Sequence, residues 1–281
     1  MLQVPTKVLP KGVLDRVKRA PLVYNAGRRV RFALGERLGA RKVQGLTGRV
    51  HYNDFMLTST DPVKVESYRR GAVQFVDILR RSCAEAGRDW GSIESVLEIG
   101  CGYGRIVREL MKFIPAERVS VCDVIDAGAR FTAAEFSVRR IPALEQARPL
   151  PGTRFDLVYL LSVYSHLRRD LVIANLRRVA EVLKPGGVVV ATVHGEGSAE
   201  TAERYEQYWL DKSRVLEGLA RTGYYYERYP YYFAEYGLTW FTRSEFEKLV
   251  AETAPELDLV RYHPMDVDGH QDVFVYRRRE S

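Results

Sequence analysis

The chain has 281 residues, of which 46% are hydrophobic and 28% are charged, and it carries a formal net charge of +7. A chain of this size buries a sufficient apolar core, so it needs neither disulfides nor a structural metal to fold. Its three cysteines lack metal-ligand spacing and favour a reducing compartment, and no apolar run reaches the ~20 residues of a membrane-spanning helix. The start of the chain lacks the continuous apolar segment of a signal peptide, so a cytoplasmic location is expected.

The positive charge is concentrated in residues 1–50. This segment holds twelve Lys and Arg against two Asp and Glu, whereas the rest of the chain is slightly acidic. Its arginines alternate with Leu, Val and Phe at roughly helical spacing, broken by Pro21 and Gly27. The pattern predicts a basic helical arm with three open roles: peripheral contact with the inner face of a membrane, contact with a phosphate-rich ligand, or packing on the body with solvated arginines.

Beyond the arm, residues 51–90 form a flanking region whose helix is predicted from about Asp61 to Gly87. Strands and helices then alternate up to Val193. The strands are SVLEIG, RVSVCDV, FDLVYLL and VVVATV, and the helices are GRIVRELMKFI, AGARFTAAEFSVRR and DLVIANLRRVAEVLKPGG. Short apolar strands that alternate with amphipathic helices are typical of a doubly wound α/β sheet buried on both faces.

The pattern changes at residues 195–240, which are long, polar and rich in tyrosine. A helix follows, with Thr242 and Glu245 spaced as a capping box, and LDLVRYH and QDVFVYRRR are the two closing strands. We therefore expect an α/β core over residues 91–281, with residues 195–240 inserted as a lid over the substrate.

Three glycines, Gly100, Gly102 and Gly104, lie between the first core strand and its helix. Such a turn brings backbone amides close to a ligand at a helix N-terminus. A dinucleotide-binding turn has the pattern G-x-G-x-x-G, and Arg105 stands where that pattern needs its last glycine. Asp123 ends the next strand, where a carboxylate can accept both hydroxyls of a ribose. The two features predict a nucleoside ligand that lacks a pyrophosphate.

Together with FDLVYLLSVYSHL and LRRVAEVLKPGGVVVATV in the same order, this G-x-G-x-G turn resembles the class I S-adenosylmethionine (SAM) methyltransferases. The resemblance implies a Rossmann-like sheet of seven strands in the order 3-2-1-4-5-7-6, with strand 7 antiparallel and the lid between strands 5 and 6. It implies SAM as the cofactor. A metal site at His166, His194, His270 and Asp272 has no H-E-x-x-H or paired-carboxylate spacing to support it, so no metal is expected. The implied cofactor contacts are Glu98, Gly100, Gly102, Gly104, Asp123, Val124 and Ser162.

Four of the five histidines, His166, His194, His263 and His270, are expected at the carboxyl edge of the sheet, where such folds bind ligands. His51 is expected outside the core. Methyl transfer to a hydroxyl needs a general base, and a histidine suits that role at neutral pH. His166 is the preferred candidate and His194 the second.

The remaining candidates concern the acceptor. His270 and Asp272 are expected to orient it, and Tyr236 and Trp240 of the lid to stack on it. In an alternative interpretation, the other aromatic residues of the lid do not contact the acceptor, and they instead fasten the lid to the body or form a homodimer interface. These other aromatics are Tyr205, Tyr208, Trp209, Tyr224, Tyr225, Tyr226, Tyr229, Tyr231, Tyr232 and Phe233.

The motifs GCGYGRIVREL, SVYSHL, TVHG and GHQD also resemble a bacterial subgroup associated with glycan and glycolipid assembly, which implies a carbohydrate acceptor.

The leading hypothesis is O-methylation of a small-molecule or glycan hydroxyl. One alternative is an RNA methyltransferase that uses the basic arm, but SVYSHL lacks the N-P-P-Y type of turn that holds a flipped base, so nucleic acid is not the expected partner. The other alternative is a non-catalytic binding module.

Overall fold

The structure is a computed structural model that describes residues 20–57, 59–144, 154–201, 210–230 and 235–280. Its centre is a sheet of seven strands. From one edge to the other, these are β5 (Arg139–Arg140), β4 (Val119–Cys122), β3 (Val96–Ile99), β6 (Phe155–Leu160), β7 (Leu183–Val193), β11 (Gln271–Arg278) and β10 (Leu257–Val267). β5, β4, β3, β6 and β7 run parallel, while β11 is antiparallel to both β7 and β10. The predicted strand order and the antiparallel seventh strand are confirmed.

Eight α-helices and two small hairpins surround the sheet in the part of the chain that the structure describes. The helices are α1 (Pro21–Leu38), α2 (Pro62–Glu85), α3 (Arg105–Leu110), α4 (Asp126–Phe136), α5 (Arg169–Val182), α6 (Glu196–Glu200), α7 (Lys212–Thr222) and α8 (Arg243–Thr253). The hairpins are β1 (Ala40–Lys42) with β2 (Arg49–His51), and β8 (Tyr224–Arg228) with β9 (Gly237–Phe241). Among the described helices, none combines the length and the apolar character needed to cross a membrane.

Apolar side chains cover both faces of the sheet, as the continuous apolar strands predict. Phe75 and Leu79 of α2 pack with Leu110 of α3 in one cluster, which also includes part of α4. Leu176 of α5 and Phe246 of α8 belong to the cluster on the other face. All six residues of β6 are buried. The loops at the carboxyl edge of the sheet are thereby supported by a packed core from two sides.

The arm is only partly helical. α1 begins at Pro21, which a first helical position tolerates because no backbone N–H is needed there, and it continues through Gly27. The chain then turns into the β1–β2 hairpin instead of extending the helix. Residues 1–19 lie outside the described residues.

Two helix ends differ from the prediction. α5 ends at Val182, and Leu183 to Gly187 belong to β7, because Pro185 has no N–H to continue the helix and holds the preceding residue extended. Of the predicted capping box, only one half is formed. Thr242 Oγ1 accepts a hydrogen bond from Glu245 N at 3.3 Å, whereas the Glu245 carboxylate forms an ion pair with Arg169.

The inserted segment is more regular than its polar sequence indicates. It contains α6, α7 and the β8–β9 hairpin, and β9 lies against the loop after β6. Gly237 N donates to His166 O at 3.3 Å, Thr239 N donates to Ser165 O at 2.9 Å, and Phe241 N donates to His194 O at 3.0 Å. These bonds fix the hairpin to the carboxyl edge of the sheet. The predictions for Tyr205, Tyr208, Trp209, Tyr231, Tyr232 and Phe233 fall outside the described residues.

Candidate active site

The glycine turn connects β3 to α3, and all three of its glycines have a positive φ. The φ values are +80° at Gly100, +50° at Gly102 and +81° at Gly104, a region that favours glycine. A Cβ at Gly100 would lie 2.6 Å from Val163 Cγ2, whereas a Cβ at Gly102 would meet no atom within 4 Å. The turn is therefore packed on one side and open at Gly102, which leaves room for a ligand against the backbone.

Asp123 lies at this turn, as the sequence predicts. Its Oδ2 accepts a hydrogen bond from Gly102 N at 2.7 Å, and its Oδ1 accepts one from Ile125 N at 2.7 Å. A carboxylate oxygen can accept more than one hydrogen bond, so this geometry is compatible with contacts from two ribose hydroxyls. Beyond it, Val124 is 69% exposed and forms an apolar surface that a flat base could cover. The turn, the carboxylate and the apolar surface fit the nucleoside part of SAM.

Glu98 is buried within β3, like the other residues of that strand. It is 3% exposed and accepts a hydrogen bond at 3.0 Å from the hydroxyl of Tyr159, its register partner on β6. Burial raises the pKa of Glu98 to about 8, and the nearby charge of Asp123 adds to the shift. The carboxyl group is therefore mostly protonated at neutral pH.

Ser162 follows β6 with a positive φ of +58°, an uncommon backbone geometry for serine. Its N–H donates to Thr192 Oγ1 at 2.8 Å, and its hydroxyl accepts from Gln271 Nε2 at 2.8 Å. Thr192 Oγ1 in turn donates to Gln271 Oε1 at 2.6 Å. This network joins the ends of β6, β7 and β11 beside the glycine turn. Gln271 lies in the GHQD motif, but no role is predicted for it from the sequence.

Three of the four predicted histidines lie together. The ring centres of His166 and His194 are 6.3 Å apart, and those of His194 and His270 are 4.6 Å apart. The exception is His263, because β10 continues past it to Val267 and places it beside Glu85 of α2, at 3.0 Å. The prediction that it ends its strand was wrong.

The lid hairpin orients two of these imidazoles. His166 Nδ1 lies 2.8 Å from Gly237 O, and His194 Nδ1 lies 3.2 Å from Thr239 O. A carbonyl only accepts, so Nδ1 carries the proton of each neutral ring and Nε2 carries the lone pair. His270 differs, since its Nδ1 lies 3.2 Å from the hydroxyl of Ser198.

Burial keeps these rings neutral. It lowers the pKa of His166 and of His270, and it lowers the pKa of His194 well below its usual value, with the other two imidazoles adding to that shift. Neutral imidazoles can accept a proton at neutral pH. No group of three or more His, Cys, Asp and Glu side chains within the described ranges is arranged to hold a metal ion.

The predicted acceptor-binding residues divide into two groups. Tyr236 stacks on His166 with ring centres 4.8 Å apart, and Trp240 lies 5.4 Å from His194. Asp272 instead has a structural role that its sequence position does not indicate. It is 2% exposed and accepts hydrogen bonds from the hydroxyl of Tyr262 at 2.8 Å and from Met265 N at 2.9 Å. Its carboxylate therefore holds the β10–β11 hairpin.

His51, expected outside the core, lies against the glycine turn. Its ring stacks on that of Tyr103, with centres 4.7 Å apart, and meets the edge of Phe131 of α4 at 5.0 Å. Arg108, which is 1% exposed, donates hydrogen bonds to the carbonyls of Thr47 and Arg49 and so fixes this part of the chain. No sequence spacing links His51 to Tyr103, so the contact arises only from the fold.

Comparison with known proteins agrees with this geometry. Residues 97–189 match a family model described as a methyltransferase domain. The chain is 27% identical over 183 residues to the human tRNA N(3)-cytidine methyltransferase METTL2B, an alignment that covers 59% of this chain and 46% of that protein. The chain thus spans less than half the length of the curated relatives it matches.

Solved structures show the same fold. A SAM-dependent methyltransferase from Clostridium acetobutylicum matches with a TM-score of 0.52 at 12% identity, covering 81% of this chain and 99% of that one. SAM-bound CalS10, an amino pentose methyltransferase from Micromonospora echinaspora, matches with a TM-score of 0.50 at 18% identity, covering 75% and 92%. The chain therefore has the fold of these SAM-dependent methyltransferases, and its residues 97–189 match a methyltransferase domain.

Proposed function

We propose that the chain methylates a hydroxyl group of a small-molecule or glycan acceptor, with His166 as the general base. The observation that carries this proposal is the orientation of His166, whose Nδ1 is engaged by Gly237 O and whose Nε2 keeps its lone pair. A neutral alcohol attacks poorly, and removal of its proton by a positioned base contributes ~10²–10⁴-fold to such reactions. SAM, when bound, supplies a methyl group already activated by the sulfonium.

His166 is favoured over His194 because it is the more accessible of the two. His194 is 4% exposed and lies among His166, His270 and Trp240, whereas His166 is only partly buried. In this proposal Nε2 of His166 takes the hydroxyl proton while the oxygen bonds to the methyl carbon, and the bond between that carbon and the sulfonium breaks to release demethylated SAM. His194, whose pKa burial lowers well below its usual value, stays neutral and so does not repel the positive charge that His166 gains.

The aromatic rings beside His166 suit a cyclic acceptor. His166, Tyr236 and Tyr229 form a cluster of three rings, with centres 4.8 Å apart for His166 and Tyr236, 5.4 Å for the two tyrosines and 6.3 Å for His166 and Tyr229. Trp240 adds a buried indole N–H that has no hydrogen-bond partner among the described residues. Ring faces with polar edges bind sugars well, because both the apolar face and the hydroxyls of a sugar find partners. We propose that the lid holds the acceptor through these groups.

A second candidate is methylation of an RNA base, and the similarity to a tRNA N(3)-cytidine methyltransferase favours it. The chemistry of that reaction is different. The N3 atom of cytidine has its own lone pair and attacks without losing a proton, so such an enzyme needs no general base. The oriented imidazole of His166 would then have no catalytic role.

The experiment that separates the two candidates is transfer of tritiated methyl groups from SAM to fractionated cell material. The full chain is incubated separately with an RNA fraction, a lipid extract and a soluble glycan and metabolite fraction. We expect label in the glycan or lipid fraction, as a methyl ether that survives alkaline hydrolysis. Label recovered as methylated cytidine after nuclease digestion would contradict the proposal and establish the second candidate.

A further inference from the structure

Helix α1 carries a row of exposed apolar side chains on its outward face. At the periodicity of an α-helix, Val23, Val30, Leu34 and Leu38 share one side, and Leu22 lies at its border. Their exposed fractions are 77% for Leu22, 59% for Val23, 60% for Val30, 48% for Leu34 and 51% for Leu38. Soluble proteins seldom leave such an apolar row in water, so the row indicates a contact surface.

The opposite face of α1 is already fixed to the body of the protein. Gly35 is buried against Asn53, which donates hydrogen bonds to Phe32 O at 3.0 Å and to Glu36 Oε1 at 2.9 Å. Tyr24 packs on the apolar cluster of the lid. The helix therefore cannot bury the apolar row by rotating about its axis without losing these contacts.

The charges beside the row identify its partner. The helical periodicity places Arg29 at one border of the row and Arg31 at the other, while Arg37 in the last turn falls between Leu22 and Val30. Guanidinium groups along the borders of an apolar strip are typical of helices that lie in the surface of an anionic membrane. A second copy of this helix would bring like charges together, and RNA would leave the Leu and Val side chains unused.

We propose that α1 lies in the surface of an anionic membrane, with Leu22, Val23, Val30, Leu34 and Leu38 at the acyl boundary and Arg29 and Arg31 at the lipid phosphates. This inference does not depend on the acceptor or on the general base. It would place the glycine turn near lipid, because the segment that follows α1 contacts Tyr103 through His51.

Flotation of the full chain with lipid vesicles tests the inference. Vesicles of phosphatidylcholine alone are compared with vesicles that also contain phosphatidylglycerol, at low and high salt. We expect at least ~10-fold more protein on the anionic vesicles, decreasing with salt, because each basic residue near such a surface adds to binding. The double variant Val30→Glu, Leu34→Glu should lose this binding.

The matched control is Val63→Glu, which changes an apolar residue that is 74% exposed at the start of α2. It should float like the unchanged chain, and all three proteins should bind demethylated SAM equally, which shows that they are folded. Flotation that is absent, or equal for the double variant, would overturn the inference. A dimer that the double variant dissociates, or a double variant with lowered unfolding stability, would also overturn it, since a second copy or the chain itself would then cover the row.

Discussion

His166 and His194 adopt the same tautomer because one strand supplies both of their hydrogen-bond acceptors. The two acceptors are carbonyl oxygens two residues apart on β9. Gly237 O lies 2.8 Å from His166 Nδ1, and Thr239 O lies 3.2 Å from His194 Nδ1. The lid hairpin is therefore part of the candidate catalytic apparatus as well as a cover for it. The placement of β9 sets which nitrogen of each imidazole is free to accept a proton.

The first prediction concerns His166. His166→Gln should lower kcat by ~10²–10⁴-fold, since general-base assistance is lost while the alignment of the reactants is kept. It should leave the affinity for demethylated SAM unchanged, because the proposed cofactor contacts lie at Gly102 and Asp123. Single-turnover transfer to the acceptor found in the labelling experiment, together with calorimetry, measures both quantities.

The matched control for that experiment is His263→Gln. His263 is a histidine outside the cluster, paired with Glu85 at 3.0 Å, and its replacement should not change the rate of transfer. Equal rates for His166→Gln and His263→Gln would show that His166 is not the base.

The second prediction concerns Glu98 and alkaline pH. The folded-state pKa of Glu98, about 8, is above the ordinary value of 4.5, so the folded protein holds a proton that the unfolded chain has released. The stabilisation that Glu98 contributes is fully present below the pKa of the unfolded chain, 4.5, and it is lost as pH rises toward 8. Between pH 7 and 8, unfolding free energy should therefore fall with pH by at most ~1.4 kcal/mol per pH unit.

Urea denaturation across this interval measures the slope, and Glu98→Gln should remove it. The neutral amide resembles the protonated carboxyl in shape and still accepts the hydroxyl proton of Tyr159. The buried histidines, whose pKa values are lowered, act in the opposite direction, since they add stability as pH rises past about 6.5. They act equally in both proteins, so the difference between the two slopes reports Glu98. Identical slopes for the two proteins would contradict the assignment of a protonated Glu98.

The third prediction compares two glycines. Gly104→Ala should destabilise the fold by ~1–3 kcal/mol, because the backbone has a φ of +81° and the new Cβ would lie 2.7 Å from Phe136 Cε2. Gly27→Ala, in the middle of α1, should stabilise it by ~0.5–1 kcal/mol, since no atom lies within 4 Å of the new Cβ. Urea midpoints measure both. Equal effects would contradict the account of the glycine turn.

The features that the sequence predicts well are those set by local patterns. The glycine turn and the carboxylate of Asp123 after the next strand follow from short apolar strands and fixed turn chemistry, whereas the order of the seven strands is implied by the resemblance to class I methyltransferases. Three histidines were placed at the carboxyl edge for the same reason. His263 was misplaced because the end of an edge strand depends on its pairing, here with β11, and not on its own residues.

The features that the sequence does not predict are contacts between distant segments. The stacking of His51 on Tyr103 requires the hairpin after α1 to fold over the glycine turn, held by the buried Arg108. The anchoring of Asp272 by Tyr262 and Met265 N likewise depends on an irregularity in the pairing of β10 with β11. A carboxylate in a terminal motif cannot be assigned to a ligand or to a hairpin until that pairing is known.

The central claim is that the open turn at Gly102 and the carboxylate of Asp123 bind the nucleoside of SAM. Calorimetric titration with demethylated SAM tests it most directly, with the variant Asp123→Ala and the control Asp126→Ala. The carboxylate of Asp126 is exposed at the start of α4 and, among the described contacts, pairs only with surface arginines. We expect one binding site in the unchanged chain and in Asp126→Ala, and affinity at least ~10-fold lower in Asp123→Ala, the scale of a lost charge-assisted contact. Absence of binding to the unchanged chain, or equal affinity in all three proteins, would contradict the claim.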